Sequence, residues 1–272
     1  GKAKLFNTPP TVRAGGGGFG RAMSAVGENP PGGIVLRYYL KEKADTNLLK
    51  LDILDAGGKT IRSFTNKKDE AFQAYPGGPP APALLPSNAG INQFVWDLRT
   101  ETSPGVSGVF VYGDHRGYQV APGAYRIRLQ YLGETMETVA ELTSDPRTTS
   151  SKTDWDAQQA LLDRISANIK GIHESVNAMR KVKKQIETYN ESMKGIPGFE
   201  ELVTMGQDLI KKIDAWESNL VEARSKNGQD VINWPNRLNA DFFDLRSSLD
   251  TQDPRITQGI RDRMADLESE WT

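Results

Sequence analysis

The chain changes rhythm once. Up to about Asp145 apolar side chains recur at every second residue, and beyond it at every third or fourth. The first spacing lines one face of a strand; the second lines one stripe of a helix. Ile34, Leu36, Tyr38 and Leu40 alternate with Val35, Arg37 and Tyr39, and Leu49, Leu51 and Ile53 alternate with Lys50 and Asp52. Asp55-Ala56-Gly57-Gly58 predicts a hairpin turn returning over 59–64, because glycine takes positive φ without steric cost. The stretch 90–99 organises this half. Phe94, Trp96 and Leu98 share one face there, and Trp96 alone is expected to bury on the order of 200 Å². Tyr125, Ile127, Leu129 and Tyr131 form the next strand, Gly133-Glu134 turns the chain, and 135–142 returns it. About six or seven short strands, each with one polar face, predict an antiparallel sandwich rather than a parallel sheet buried on both sides.

Proline and glycine interrupt this pattern. Residues 65–89 and 100–121 read as two surface excursions, the second holding a small strand at 109–112. Residues 1–33, with Pro9-Pro10, four glycines at 15–18 and Pro30-Pro31, read as an extended arm over a domain surface. Gly15, Gly17 and Gly20 match G-x-G-x-x-G, but no strand precedes them and no helix follows, so a flexible loop is expected rather than a phosphate cradle.

Asp145-Pro146-Arg147 ends the strand pattern. Thr153 is the expected N-cap of a helix from 154 to about 193, with Leu162, Ile165, Ile169, Ile172, Val176 and Met179 as its seam. Gly195, Pro197 and Gly198 turn the chain into a second helix with Phe199, Leu202, Gly206, Leu209, Ile213, Trp216 and Leu220 as its seam. Together they predict a long antiparallel hairpin. Leu238, Phe242, Leu245 and Leu249 predict a third helix; Ile260, Met264, Leu267 and Trp271 predict a fourth. Asp-Pro-Arg recurs at 253–255, again ahead of a helix, and reads as chain punctuation.

Composition narrows the chemistry. With no cysteine, disulfides, cysteine–zinc sites and thiol nucleophiles are excluded. A net charge of -1 gives no global basic field for nucleic acid, and no apolar run reaches the ~20 residues of a membrane helix. The first residue is Gly1 rather than Met, so an upstream targeting segment or domain is expected; no signal peptide stands in this stretch.

Several segments stand in one recognisable order: Glu28-Asn29-Pro30-Pro31-Gly32, Tyr38-Tyr39-Leu40, Leu51-Asp52-Ile53-Leu54-Asp55 with Gly58-Lys59 and Arg62, the run 90–99, Pro122-Gly123-Ala124-Tyr125 and Asp145-Pro146-Arg147. Together they resemble the C-terminal region of bacterial exported proteins with BNR-repeat, sortilin-like (VPS10-type) β-propellers, often loosely named glycosyl hydrolases. The strand region is also similar to the immunoglobulin/fibronectin-like domain of flagellar hook-capping proteins. The match covers about 28–147, and 230–239 resembles the same family's tail more loosely. The resemblance implies an accessory module exported to the periplasm, cell surface or medium, with the propeller upstream as its partner and no catalytic residue in this chain. The expected architecture is β plus α: an extended arm at 1–27, an immunoglobulin/fibronectin III-like β-sandwich at 28–147 and an α-helical bundle at 148–272.

Candidate chemistry is sparse, and no catalytic, cofactor or metal set is assigned. His115 and His173 fall in different expected domains and read as ordinary surface histidines. Asp52, Asp55, Asp97 and Asp114 would need to gather at one sheet end to hold calcium; solvated turn aspartates are the simpler reading. Lys181, Lys183 and Lys184 read as a solvated helix face, and Asn190-Glu191-Ser192 is a sequon placed on a helix. Tyr75, Tyr112 and Tyr118 in the loops, with Tyr39 on the outer face, form a possible ligand surface for sugar rings, weighed against loop packing. The expectation is a non-catalytic structural or interaction module; the alternative is a carbohydrate-binding module of a polysaccharide-degrading protein.

Overall fold

The structure is a computed structural model that describes residues 1–13, 31–45 and 48–271. The glycine run at 15–18 and Gly20 lie outside the described residues, as do Glu28-Asn29-Pro30. The described chain forms eight strands followed by four α-helices: β1 (Ala3–Leu5), β2 (Thr11–Arg13), β3 (Ile34–Leu40), β4 (Leu49–Leu54), β5 (Thr60–Thr65), β6 (Gly90–Trp96), β7 (Gly123–Tyr131), β8 (Glu134–Ser144), α1 (Lys152–Met193), α2 (Glu200–Leu220), α3 (Leu238–Leu249) and α4 (Gln258–Trp271).

The strands form two sheets, ordered β1-β3-β6 and β2-β8-β7-β4-β5. All pairs are antiparallel except β2 with β8. Ile34 lies opposite Trp96, Leu36 opposite Phe94, and Leu51 opposite Leu129. The inward residues of both sheets fill one core with Trp96 at its centre, its ring edge-on to Tyr125 at 5.3 Å. The period-two reading therefore holds for β3, β4, β6 and β7. The arm does more than lie on a surface, since β1 and β2 each add a strand to one sheet.

Three local readings are corrected. Strand β6 stops at Trp96. Leu98 sits at φ 63° while remaining buried, and the Trp96 Nε1–H donates to the Arg99 carbonyl at 2.9 Å, so the chain folds back under its own indole. The β7–β8 turn is Leu132-Gly133, both at positive φ, a two-residue reversal whose twist suits the strands it joins. Residues 109–112 form no strand. Val109 and Val111 turn inward and join the helical core instead.

That second core shows where the loop 100–121 belongs. Val106, Val109, Val111 and Tyr118 pack with Leu162, Ile165, Ile169, Ile172 and Val176 of α1 and with Phe242, Phe243 and Leu249 of α3. The segment is an internal wedge rather than a surface excursion, because its apolar residues have more to gain against α1 than in water. Helix α1 runs 42 residues, about 63 Å at 1.5 Å per residue. Its N-cap is Ser151, not Thr153: the Asp154 N–H donates to Ser151 Oγ, and the Ser151 N–H donates back to the Asp154 carboxylate at 2.9 Å. That reciprocal pair satisfies two orphan donors at once, which Thr153 had no partner to do. Among the described residues, no helix is long and apolar enough to cross a membrane.

Candidate functional site

The two histidines that the sequence separates meet in the interior. His173, on α1, is fully buried, and His115, in the wedge loop, is 2% exposed. Their rings lie 5.8 Å apart, each against the ring of Phe243. Neither is the surface residue expected. His173 Nδ1 stands 2.6 Å from the Pro104 carbonyl, and its Nε2 3.0 Å from the Asn239 amide nitrogen. The carbonyl can only accept and the amide can only donate, so Nδ1 carries the proton. Burial pushes His173 down to about 4 and lowers His115 as well, with the Arg246 charge adding to both. Closed from solvent, this pair is a structural clasp. It ties the loops at Gly77 and Pro104 to α1 and α3.

One layer outward lies a charged seam between the sheets and α3. Asp250 is its hub: it accepts from the Gln119 N–H at 3.1 Å and from Arg99 at 3.3 Å, and faces Arg13 at 3.7 Å. Arg246, 4% exposed, lies over Phe243 and donates to Ser103 Oγ at 3.0 Å and to the Asp114 carbonyl. Its burial lowers it to about 10, which leaves it charged at neutral pH. Burial pushes the Asp114 carboxyl up, but hydrogen bonds and charge from Arg116 outweigh that and hold it below the usual carboxylate range. The seam opens into a cavity of about 390 Å³ walled by Arg99, Tyr112, Arg116, Asp244, Arg246 and Asp250, among others.

The predicted tyrosine surface does not form. Tyr118 is 3% exposed; its hydroxyl donates to Asp163 at 2.6 Å and accepts from Gln159 at 2.6 Å. It is a core residue with a satisfied polar end, which corrects its assignment as a ligand contact. Tyr75 packs between Gly78 and Gly105, where the ring and hydroxyl leave no room for a Cβ. Tyr112 alone is open, at 62% exposure, and it lies on the cavity rim. Tyr39 is on the outer face as expected, at 38%.

The four aspartates do not converge. Asp52 takes Lys50 and Ser63, Asp97 takes Arg62, Asp114 takes Arg116, and Asp55 closes the hairpin by accepting the Lys59 N–H. Among the described residues, no group of three or more potential ligands is placed to hold a metal. Lys183 and Lys184 pair with Asp214 and Glu187 on the helix surface. The repeated Asp-Pro-Arg is punctuation with a mechanism: Arg147 folds back to grip Asp145 through backbone N–H and guanidinium, and Arg255 grips Asp253 in the same way.

A second open feature lies at the far end of the helical hairpin. Past Val176, no side chain of α1 is buried, and on α2 only Ile213 and Leu220 are. Ile186, Tyr189 and Met193 face Leu202, Met205 and Leu209 across a groove of about 740 Å³. Tyr189 is 66% and Met205 61% exposed. Gly206 lets the helices close there, since a Cβ would fall 2.3 Å from Asn190 Oδ1. Helix lengths foreshadow this groove, because a third and fourth helix of 12 and 14 residues cannot cover 42. The charged seam had no such signal; Arg99 and Asp250 lie 151 residues apart, and Arg13 lies farther still from Asp250 along the chain. Comparison of the chain with protein-family models, with curated proteins and with solved structures finds no match.

Proposed function

We propose that the chain is a non-catalytic structural and interaction module: an immunoglobulin/fibronectin-like sandwich and a helical bundle that together form the C-terminal accessory region of an exported bacterial β-propeller protein. The observation that carries this reading is the uncovered apolar groove at the hairpin end, where Tyr189, Leu202, Met205 and Leu209 are each about half exposed or more. Apolar area concentrated in one place costs free energy until something covers it, and such patches mark interaction surfaces. The preceding propeller of the same parent chain, or another protein, fills that role. The employment of the ionisable groups supports the same reading: His173 and Arg246 are sealed in, and Asp97, Asp114 and Asp250 each hold an arginine.

Hydrogen exchange of the chain alone and of the chain within its longer parent protein tests the proposal. Amides over 186–209 are expected to gain protection in the longer protein, and Met205→Glu with Leu209→Glu to abolish the gain. Hydrolysis of a glycan or peptide by the purified chain, lost on one point substitution, would refute it. The carbohydrate-binding alternative has one observation in its favour, the open Tyr112 beside a polar cavity.

A further inference from the structure

We infer that the cavity between the wedge loop and α3 binds a neutral polyhydroxylated ligand, a sugar ring or short oligosaccharide, with Tyr112 as the stacking surface and Asp244 and Ser247 as the free polar contacts. This site is separate from the hairpin groove, and either can fail without the other.

Tyr112 is presented, not merely exposed. On one side Val111 is anchored in the helical core at 3% exposure. On the other, Gly113 is pressed against Phe243 so closely that an added Cβ would fall 2.8 Å from its side chain. One edge of the Tyr112 ring rests near Gly228, and the remainder is open. An aromatic ring held out of a nearby core by two pinned neighbours offers its face to a ligand with little ordering cost. The C–H face of a sugar ring is a partner for such a surface, because it is apolar while its rim is polar.

The charge pattern selects against ions. Arg99, Arg116 and Arg246 stand against Asp114, Asp244 and Asp250 in the cavity wall, so the formal charges cancel. Arg116 is committed to Asp114 at 2.6 Å and Arg99 to Asp250 at 3.3 Å. An anion would have to break one of these pairs or draw Arg246 from Ser103 and the Asp114 carbonyl, and a cation would find a single unpaired carboxylate, Asp244. A hydroxyl both donates and accepts, so it can use the remaining lone pairs and N–H groups without disturbing either pair.

The wall also keeps unspent groups. Asp244 and Ser247 lie one turn apart on the exposed face of α3 and both line the cavity. Among the described residues, neither side chain makes a hydrogen bond or ion pair. The Asp244 carboxylate has two oxygens for adjacent hydroxyls, and Ser247 can give or take one bond. At about 390 Å³ the cavity falls within the range of small-ligand sites. Its floor, Arg246 over Phe243 above the histidine clasp, is buried and fixed.

The test is titration of the full chain, followed by amide NMR, with maltotriose, cellotriose, chitotriose and mannotriose, and with inorganic phosphate as the charged probe. At least one saccharide is expected to move the signals of Tyr112, Gly113, Asp244 and Ser247 with a millimolar Kd. Tyr112→Ala and Asp244→Ala are each expected to weaken it about tenfold or more, with the melting temperature unchanged because both side chains are exposed. Tyr112→Phe keeps the ring and should bind within about threefold of the parent. The inference is overturned if no saccharide moves these signals at about 10 mM, if binding survives Tyr112→Ala, or if phosphate occupies the cavity more tightly than any neutral sugar.

Discussion

Arg13 is 1% exposed, with its guanidinium 4.4 Å from the Trp155 ring centre. Among the described residues its three guanidinium nitrogens make no hydrogen bond, and burial lowers its pKa. Burying such a charge is costly, and Asp250 offsets that only across 3.7 Å. Arg13→Met is therefore expected to leave stability unchanged or raise it. Asp250→Ala should lower it by about 3–5 kcal/mol, because Arg99, Arg13 and the Gln119 amide all lose their partner. Urea unfolding of both variants checks the contrast. His173 makes a second prediction. Its folded value of about 4 lies below the ordinary 6.5, so the unfolded chain takes up a proton that the folded chain refuses. Stability is then full above about pH 6.5 and falls as pH drops toward 4, by about 3 kcal/mol across that window. A His173→Gln variant should flatten this part of the urea-midpoint profile against pH; an unchanged slope would assign it elsewhere.

At the scale of elements, alternation and helical spacing placed most strands and all four α-helices, because burial of one face dominates each of them. Boundaries obeyed finer chemistry. Ser151→Ala should cost about 1 kcal/mol while Thr153→Ala leaves stability nearly unchanged, a comparison that urea titration reads directly. Thr153 looked like the cap because it precedes two aspartates, but Asp154 returns its hydrogen bond to Ser151. Leu98 kept its expected burial and lost its strand, since alternation reports which side a residue faces and not whether its backbone stays extended. The segment 100–121 misled for a different reason. Its glycines and prolines look like solvent-exposed loop, while its few apolar residues are spent on a neighbour that only tertiary folding supplies.

For the whole molecule, the division into a strand half and a helix half was legible, but the joint between them was not. Asp250 meets Arg99 and Gln119, and Gln159 accepts from the Ala121 N–H, across separations that no local pattern encodes. The candidate sugar cavity inherits that opacity: only Tyr112 was foreseen, and its polar wall comes from arginines and aspartates that looked like ordinary surface charge. The first thirteen residues hold a last consequence. Strands β1 and β2 are the outermost rungs beside β3 and β8, which are seven and eleven residues long. A chain shortened to start at residue 31 would leave the flanks of both β3 and β8 bare, each a template for another molecule's backbone. Light scattering should find that shorter chain self-associating where the longer one does not: the leading segment acts as a pair of bumpers, and trimming it trades tidiness at the terminus for stickiness along two sides.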